Sequence, residues 1–466
     1  MTRSYDVIIV GAGPAGIFAS LELSDAGLSV LLLDKGREIP DRVCPVQQGG
    51  SCCLLCSPCH IVSGFGGAGA FSDGKLTLSA QVGGRLEELV GLEQAEELIG
   101  YVDSVYLRFG APEKVYGAGE GVAPLQRRAA SAGLNLIPVK LRHLGTEFCH
   151  EALQAMQHYL SSRLDIRLRT AVTSVAVNDN GDKAIETGDG EQLSCRYLIL
   201  APGREGADWL CSEARRMELT LSSNPVDVGV RVEVPMTTME HLTATLYESK
   251  LEFYSKSFDD RVRTFCMCPG GEVVMESTGG SDPVITVNGI GYAQPRTDNT
   301  NFAILVSTTF TEPFKEPIAY GKYLARLANI LSGGVLVQRL GDLMDGHRST
   351  PARLQDNPVE PSLKAAVPGD LSFALPYRYL KNIVEMLHAM DTLAPGVASP
   401  YTLLYGIEVK FYSGQLKLTP CLETEIEGVF AAGDGAGVSR GLVQASASGT
   451  LAAREILRRL GKRLLT

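Results

Sequence analysis

Three cysteines, Cys53, Cys56 and Cys59, follow one another as CxxCxxC, with Cys44, in a Cys-Pro pair, and Cys52 just upstream. The thiolates of Cys44, Cys53, Cys56 and Cys59 converging on one centre would suit an iron–sulfur cluster of the [4Fe-4S] kind. The same spacing suits tetrahedral zinc, and Cys53 with Cys56 alone would make a redox-active CxxC pair. Spacing does not choose among these, or between them and an unliganded loop. A second short pattern, Cys266 and Cys268 in CMCP, could join a site. On a strand both side chains face one way, and packing as small hydrophobes is the favoured reading there. His60, next to Cys59, could substitute for a ligand.

The other chemistry-bearing pattern is Gly11, Gly13 and Gly16, the GxGxxG of GAGPAG, with Pro14 and Ala15 between them. The first glycine makes a turn, the second lets backbone approach a pyrophosphate, and the third packs helix on strand. The elements needed to position them are at hand. Tyr5–Val10 reads as a buried strand, Ile17–Asp25 as a helix and Leu28–Leu33 as a second strand. Asp34 then stands where a carboxylate hydrogen-bonds a ribose hydroxyl, with Lys35 beside it. The full βαβ context makes this a dinucleotide site.

The segment TEIEGVFAAGD, Thr424–Asp434, followed by GAGVSRGLVQASASG, resembles the second FAD motif of glutathione-reductase-type flavoproteins. The resemblance implies that Gly433 and Asp434 meet the ribitol chain. It also implies that Arg440, Gly441, Leu442 and Val443 open a helix aimed at the flavin, whose positive end would favour the anionic reduced ring. YLILAPG, carrying Ala201, Pro202 and Gly203, looks like the strand and loop that close a three-stranded meander beginning at Val172. The segment GFGGAGAFSDGKL, Gly64–Leu76, with RHLGTE, DVGVRVE, RTFCMCPGG and VNG further on, resembles a widespread, poorly characterised family of FAD-dependent dehydrogenases. There Gly66, Gly67, Ala68 and Gly69 would lie against the cofactor, with Ser72 and Lys75 as polar contacts. No strong strand precedes these glycines, and no other strand–GxGxxG–helix unit is found, so no dedicated nicotinamide domain is expected.

For a proton donor the candidates are His143, with Arg142 to hold a substrate carboxylate, and Tyr401 or Tyr405. The fold expected is α/β: a discontinuous Rossmann-type FAD-binding domain, residues 1–214 and 402–466, with an inserted α+β substrate domain at 215–401. Hydrophobic residues at 45% and charged residues at 21% of 466 fit an ordinary globular protein, and 50 glycines fit many close backbone approaches. A net charge of −10 gives no support for a nucleic-acid partner. The longest apolar stretch is short and broken by glycine and proline, so no membrane span is expected, and the N-terminus reads as cytoplasmic.

These features lead to an FAD-dependent oxidoreductase passing hydride or electrons to or from a small organic substrate. Ferredoxin or NAD(P)H would be the external partner, the former if a cluster relays electrons. Two other readings remain open at this point: a flavoprotein electron-transfer component of a larger complex, and a non-redox protein holding FAD.

Overall fold

The computed structural model describes residues 3–45, 56–72, 74–178, 180–222, 226–278, 283–308, 316–410 and 414–462. The run Val7–Val10 has no polar residue because it is buried on both faces, the usual state of a central parallel strand. It belongs to strand Arg3–Val10, which pairs in parallel with Val30–Leu33 on one side and Gln192–Leu200 on the other. Asp165–Arg167 extends this seven-stranded sheet beyond Val30–Leu33, and Val429–Ala431, from the far end of the chain, pairs in parallel with Gln192–Leu200. The meander is present as strands Val172–Val177, Lys183–Thr187 and Gln192–Leu200. Helix Pro14–Leu23 packs against the C-terminal helix, Leu442–Arg459. Both halves of this domain share one apolar core.

The second domain is built on an eight-stranded sheet. Its order is Val367–Pro368, Leu336–Arg339, Leu403–Lys410, Val226–Pro235, Asn299–Thr308, Arg261–Pro269, Lys250–Tyr254 and Asn135–Ile137. Its apolar face carries Val226, Val228, Val230, Val232 and Val234, the alternate residues of one strand, in a core shared with helix Tyr377–Leu393. The intervening residues Asp227, Arg231 and Glu233 do not meet solvent. They are buried as well, and the hairpin formed by Glu272–Thr278 and Val284–Ile290 contributes Asn288 to that network, beside Arg231.

Two boundaries differ from the expectation. Strand Leu403–Lys410 lies in the second sheet, so the inserted domain does not end at 401. Helix Val122–Ser131 and strand Asn135–Ile137, far upstream of 215, also belong to its core and sheet. The apolar spacing over residues 86–109 is helical throughout, yet the chain forms two helices there, Leu86–Val90 and Leu92–Arg108, broken at Gly91, whose φ of +84° suits glycine.

Candidate functional site

A cavity of about 860 Å³ opens between the two domains, within the range of roughly 300–1,000 Å³ usual for ligand sites. Its first wall is the nucleotide-binding domain: Gly11, Gly13, Pro14, Ala15, Asp34, Lys35, Gly67, Ala68, Gly69, Ser72 and Lys75 line it, as do Val172, Ala201, Pro202, Gly203, Gly433, Asp434, Arg440, Gly441 and Leu442. Three of the expected cofactor contacts lie elsewhere, each for a packing reason. Gly16 sits against Gly11, so that a Cβ on it would fall 1.8 Å from the Gly11 carbonyl oxygen. The Gly66 amide donates to the Ala12 carbonyl, tying one glycine loop to the other. Val443 points into the core, one residue past the cavity-facing Leu442.

The glycine cradle fits a dinucleotide. Gly11 has φ +107°, and a Cβ there would lie 2.0 Å from the Ala201 carbonyl oxygen. Gly13, the N-cap of helix Pro14–Leu23, has no side-chain cap, which leaves the first-turn amides turned to the cavity. A Cβ on Gly67 would press to 2.9 Å on the Gly13 Cα, so the two glycine loops touch backbone to backbone. Asp34 accepts the amides of Ala12 and Gly36, each at 2.8 Å, and each carboxylate oxygen keeps a further lone pair for a ribose hydroxyl. Asp434 accepts from Arg204 at 3.0 Å and from the Ser439 hydroxyl at 2.6 Å.

Two side chains that the sequence did not single out hold these loops. Arg42, buried, donates to the carbonyls of His60, Ile61, Phe65 and Gly67, and so clamps the end of the cysteine-rich segment to the glycine loop. Burial lowers its pKa to about 10, still well above neutrality. Gln444 of the C-terminal helix reaches the carbonyls of Ala80 at 2.8 Å and Val82 at 3.1 Å and fixes the rim Gln81–Arg85.

The second wall comes from strands Lys250–Tyr254 and Arg261–Pro269 and from Glu248 just before them. Glu248, Lys250, Arg263, Phe265 and Cys266 line the cavity together with Lys75 of the first domain. Glu248 pairs with Lys250 at 2.7 Å and Lys75 at 3.6 Å and accepts the Cys266 amide at 3.0 Å. Burial alone would raise its carboxyl pKa, but the two ammonium groups and the amide outweigh it and hold it at about 2. An acid held below its usual 4.5 contributes stability that is complete above that value and lost as the pH falls toward 2. Glu248→Gln is therefore expected to flatten the acid limb of a stability-against-pH curve between those values. An unchanged limb would exclude this ion cluster as its source.

The expected catalytic pair is placed differently. Arg142 is buried and bidentate on Asp103, at 2.7 and 2.8 Å, with a further bond to the Pro112 carbonyl, so its guanidinium is committed to structure and does not line the cavity. His143 stacks on Tyr247 and shares a 2.7 Å hydrogen bond with its hydroxyl, also outside the cavity wall. Tyr401 is at the surface. Tyr405 is wholly buried, its hydroxyl donating to Glu233 at 2.5 Å, and burial raises its pKa well above the phenol range. Of the proposed metal ligands, Cys53 lies outside the described residues; Cys44, Cys56 and Cys59 are half-buried and not disulfide-bonded. Among the described residues no group of three or more potential ligands gathers. The His60 ring bonds the Val43 carbonyl at 2.7 Å. Among the described residues, no helix is long and apolar enough to cross a membrane.

Two family models match stretches of the chain that contribute to the two walls. Residues 225–411 match the family described as FAD-dependent protein, C-terminal domain-like, and residues 4–41 match the family described as FAD binding domain. An uncharacterised protein of Clostridium beijerinckii is 26% identical over 470 residues, covering 97% of this chain and 80% of that protein. The digeranylgeranylglycerophospholipid reductase of Methanocella arvoryzae is 51% identical over 43 residues, 9% of this chain and 11% of that enzyme. Among solved structures, L-proline dehydrogenase from P. horikoshii has a TM-score of 0.44 at 12% identity, covering 99% of this chain and 95% of that one. Glycine oxidase from Geobacillus kaustophilus has a TM-score of 0.42 at 15% identity, covering 98% and 95%.

Proposed function

From the premise that this chain is an FAD-dependent oxidoreductase acting by flavin redox chemistry, we propose that it moves a hydride or electrons between the flavin and a small organic substrate seated on the wall of Glu248, Lys250, Arg263 and Phe265. The observation that carries this reading is the continuity of one cavity from the dinucleotide cradle to that charged wall. When bound, the isoalloxazine supplies two-electron transfer at N5.

The chain's own residues supply position, charge and a proton. Gly11, Gly13 and Gly67 let backbone close on the pyrophosphate, and Asp34 orients the ribose. The glutathione-reductase-type reading of the second motif puts Asp434 at the ribitol. Lys75 and Lys250, each paired with Glu248, would bind a substrate oxygen, and Lys75 in place of His143 would hold the proton delivered to the substrate. Reduction or desaturation of a C–C bond is the reaction class we favour. The stretch shared with the archaeal reductase, 43 residues, is too short to bear on substrate.

Arg42 links the end of the cysteine-rich segment directly to the glycine loop, so a cluster of Cys44, Cys53, Cys56 and Cys59, which the spacing alone suggests, would stand close to the flavin and be fed by a low-potential donor such as ferredoxin. Anaerobic mixing tests the reading. Reduced ferredoxin or NAD(P)H should bleach the flavin and an unsaturated small molecule should restore it, and Lys75→Met should slow only the restoration, by about 100-fold. Bleaching that no small molecule reverses would instead favour an electron carrier. Iron and sulfide at several atoms per chain are expected with the cluster; flavin without iron would remove it and leave NAD(P)H as the donor.

A further inference from the structure

We propose that Cys266 and Cys268 are a redox-active dithiol opening on the cavity, with Cys266 as the attacking thiol, and that its substrate is a small-molecule disulfide. Cys266 lines the cavity and is half-buried, while Cys268, two residues on, is fully buried behind it. One ammonium serves both: Lys75 Nζ lies 3.7 Å from the Cys266 sulfur and 3.8 Å from the Cys268 sulfur, so the two sulfurs are neighbours around a single positive charge. A cation in that place favours the thiolate, the form that attacks a disulfide. Lys75 is itself fixed by Glu248 and by a bond to the Met267 carbonyl, between the two cysteines.

The backbone is shaped for this. Pairing with strand Asn299–Thr308 shifts register between Phe265 and Cys268, a bulge that takes Cys266 out of the regular alternation. Cys266 has φ +47°, a conformation side-chain-bearing residues seldom adopt and that persists only where surrounding contacts impose it. Those contacts are the Cys266 amide on Glu248 and the Cys266 carbonyl on Arg231 Nη1, at 3.0 and 2.7 Å. Packing two small apolar side chains requires neither the bulge nor the shared ammonium.

The exchange proceeds in two displacements. The Cys266 thiolate attacks one sulfur of the disulfide R–S–S–R, forming a mixed disulfide and expelling R–S⁻, which takes a proton from water. The Cys268 thiol then attacks the Cys266 sulfur, its proton leaving with the second R–S⁻ as R–SH, and the Cys266–Cys268 disulfide closes. The substrate gains the two electrons that the dithiol loses.

Peptide mapping reads this without any assay of turnover. Cleavage after Arg263 and Arg296 releases residues 264–296, whose only cysteines are Cys266 and Cys268. The purified full-length protein, reduced and then exposed to bis(2-hydroxyethyl) disulfide, should yield this peptide lighter by two hydrogens and refractory to iodoacetamide, and reduction should restore two alkylation sites. Cys268→Ser should retain a mercaptoethanol adduct on Cys266, and Lys75→Met should slow its formation about tenfold. Wild-type peptide that remains alkylated at both cysteines after prolonged exposure would overturn the proposal, whatever the variants do.

Discussion

A Gly13→Val protein is expected to fold normally and to bind flavin at least about 100-fold more weakly, a loss of roughly 2.7 kcal/mol or more. The reason lies in the difference among the three glycines of the motif. Gly11 and Gly16 are needed by the fold itself, since a Cβ on either would lie within about 2 Å of a backbone oxygen. Gly13 has an extended backbone, with φ −77° and ψ −176°, that valine adopts readily. The nearest atom to its hypothetical Cβ is Gly67 Cα at 3.9 Å, so the added side chain meets cavity and not protein. Equilibrium flavin titration beside a thermal melt separates the two effects. A variant that melts like the wild type without added flavin but no longer retains the cofactor matches the account. Undiminished affinity would mean that the pyrophosphate lies elsewhere.

Glu408→Ala is expected to cost about 3–5 kcal/mol, a large part of the ~5–15 kcal/mol that holds a typical protein folded. Arg231 and Glu408 are both fully buried and paired at 2.8 and 3.2 Å. Arg231 also donates to Asn288, Asn301 and the Cys266 carbonyl. Removing Glu408 leaves a buried guanidinium without its counter-charge. Arg231→Met should cost somewhat less, because Lys410 at 3.0 Å remains to neutralise Glu408. Removing both should cost less than the two losses added together, since the buried guanidinium and its carboxylate partner then leave together. Denaturant unfolding monitored by fluorescence measures all three. Near-zero losses would place this network outside the stability of the second domain.

The first domain was largely legible in the sequence because its signals are local. A strand ending in four unbroken apolar residues, a glycine turn and an apolar helix buried on every side identify themselves within thirty residues, and Gly433–Leu442 does the same at the other end of the chain. Even there, a motif does not say which of its residues face the ligand. Gly16, Gly66 and Val443 belong to the pattern but serve packing, a distinction that depends on partners such as Ala12 and Gly11 across the turn.

The second domain was legible as an inserted α+β unit, but the role of its polar residues was not. In Val226–Val234 the alternation of valine with Asp227, Arg231 and Glu233 is the pattern of a half-exposed strand, and only partners distant in sequence, Arg263, Asn288 and Tyr405 among them, bury the polar face. His143 and Arg142 drew attention because their side chains suit catalysis. Asp103 and Tyr247, which occupy them, are distant in sequence and gave no sign. Glu248 and Lys250 carry no motif, and Cys266 reaches the cavity through a bulge that strand periodicity does not register. Lys75 was found because the glycine-rich segment containing it was recognised. Its pairing with both sulfurs depends on two domains meeting.

The central claim is that the cavity between the two domains holds FAD. The most direct measurement is the flavin released on denaturing protein purified in its presence, identified by chromatography and counted against protein. One FAD per chain, falling to near none in Gly13→Val at equal thermal stability, is the predicted result. Full-length, folded protein that neither carries nor takes up FAD would contradict the account.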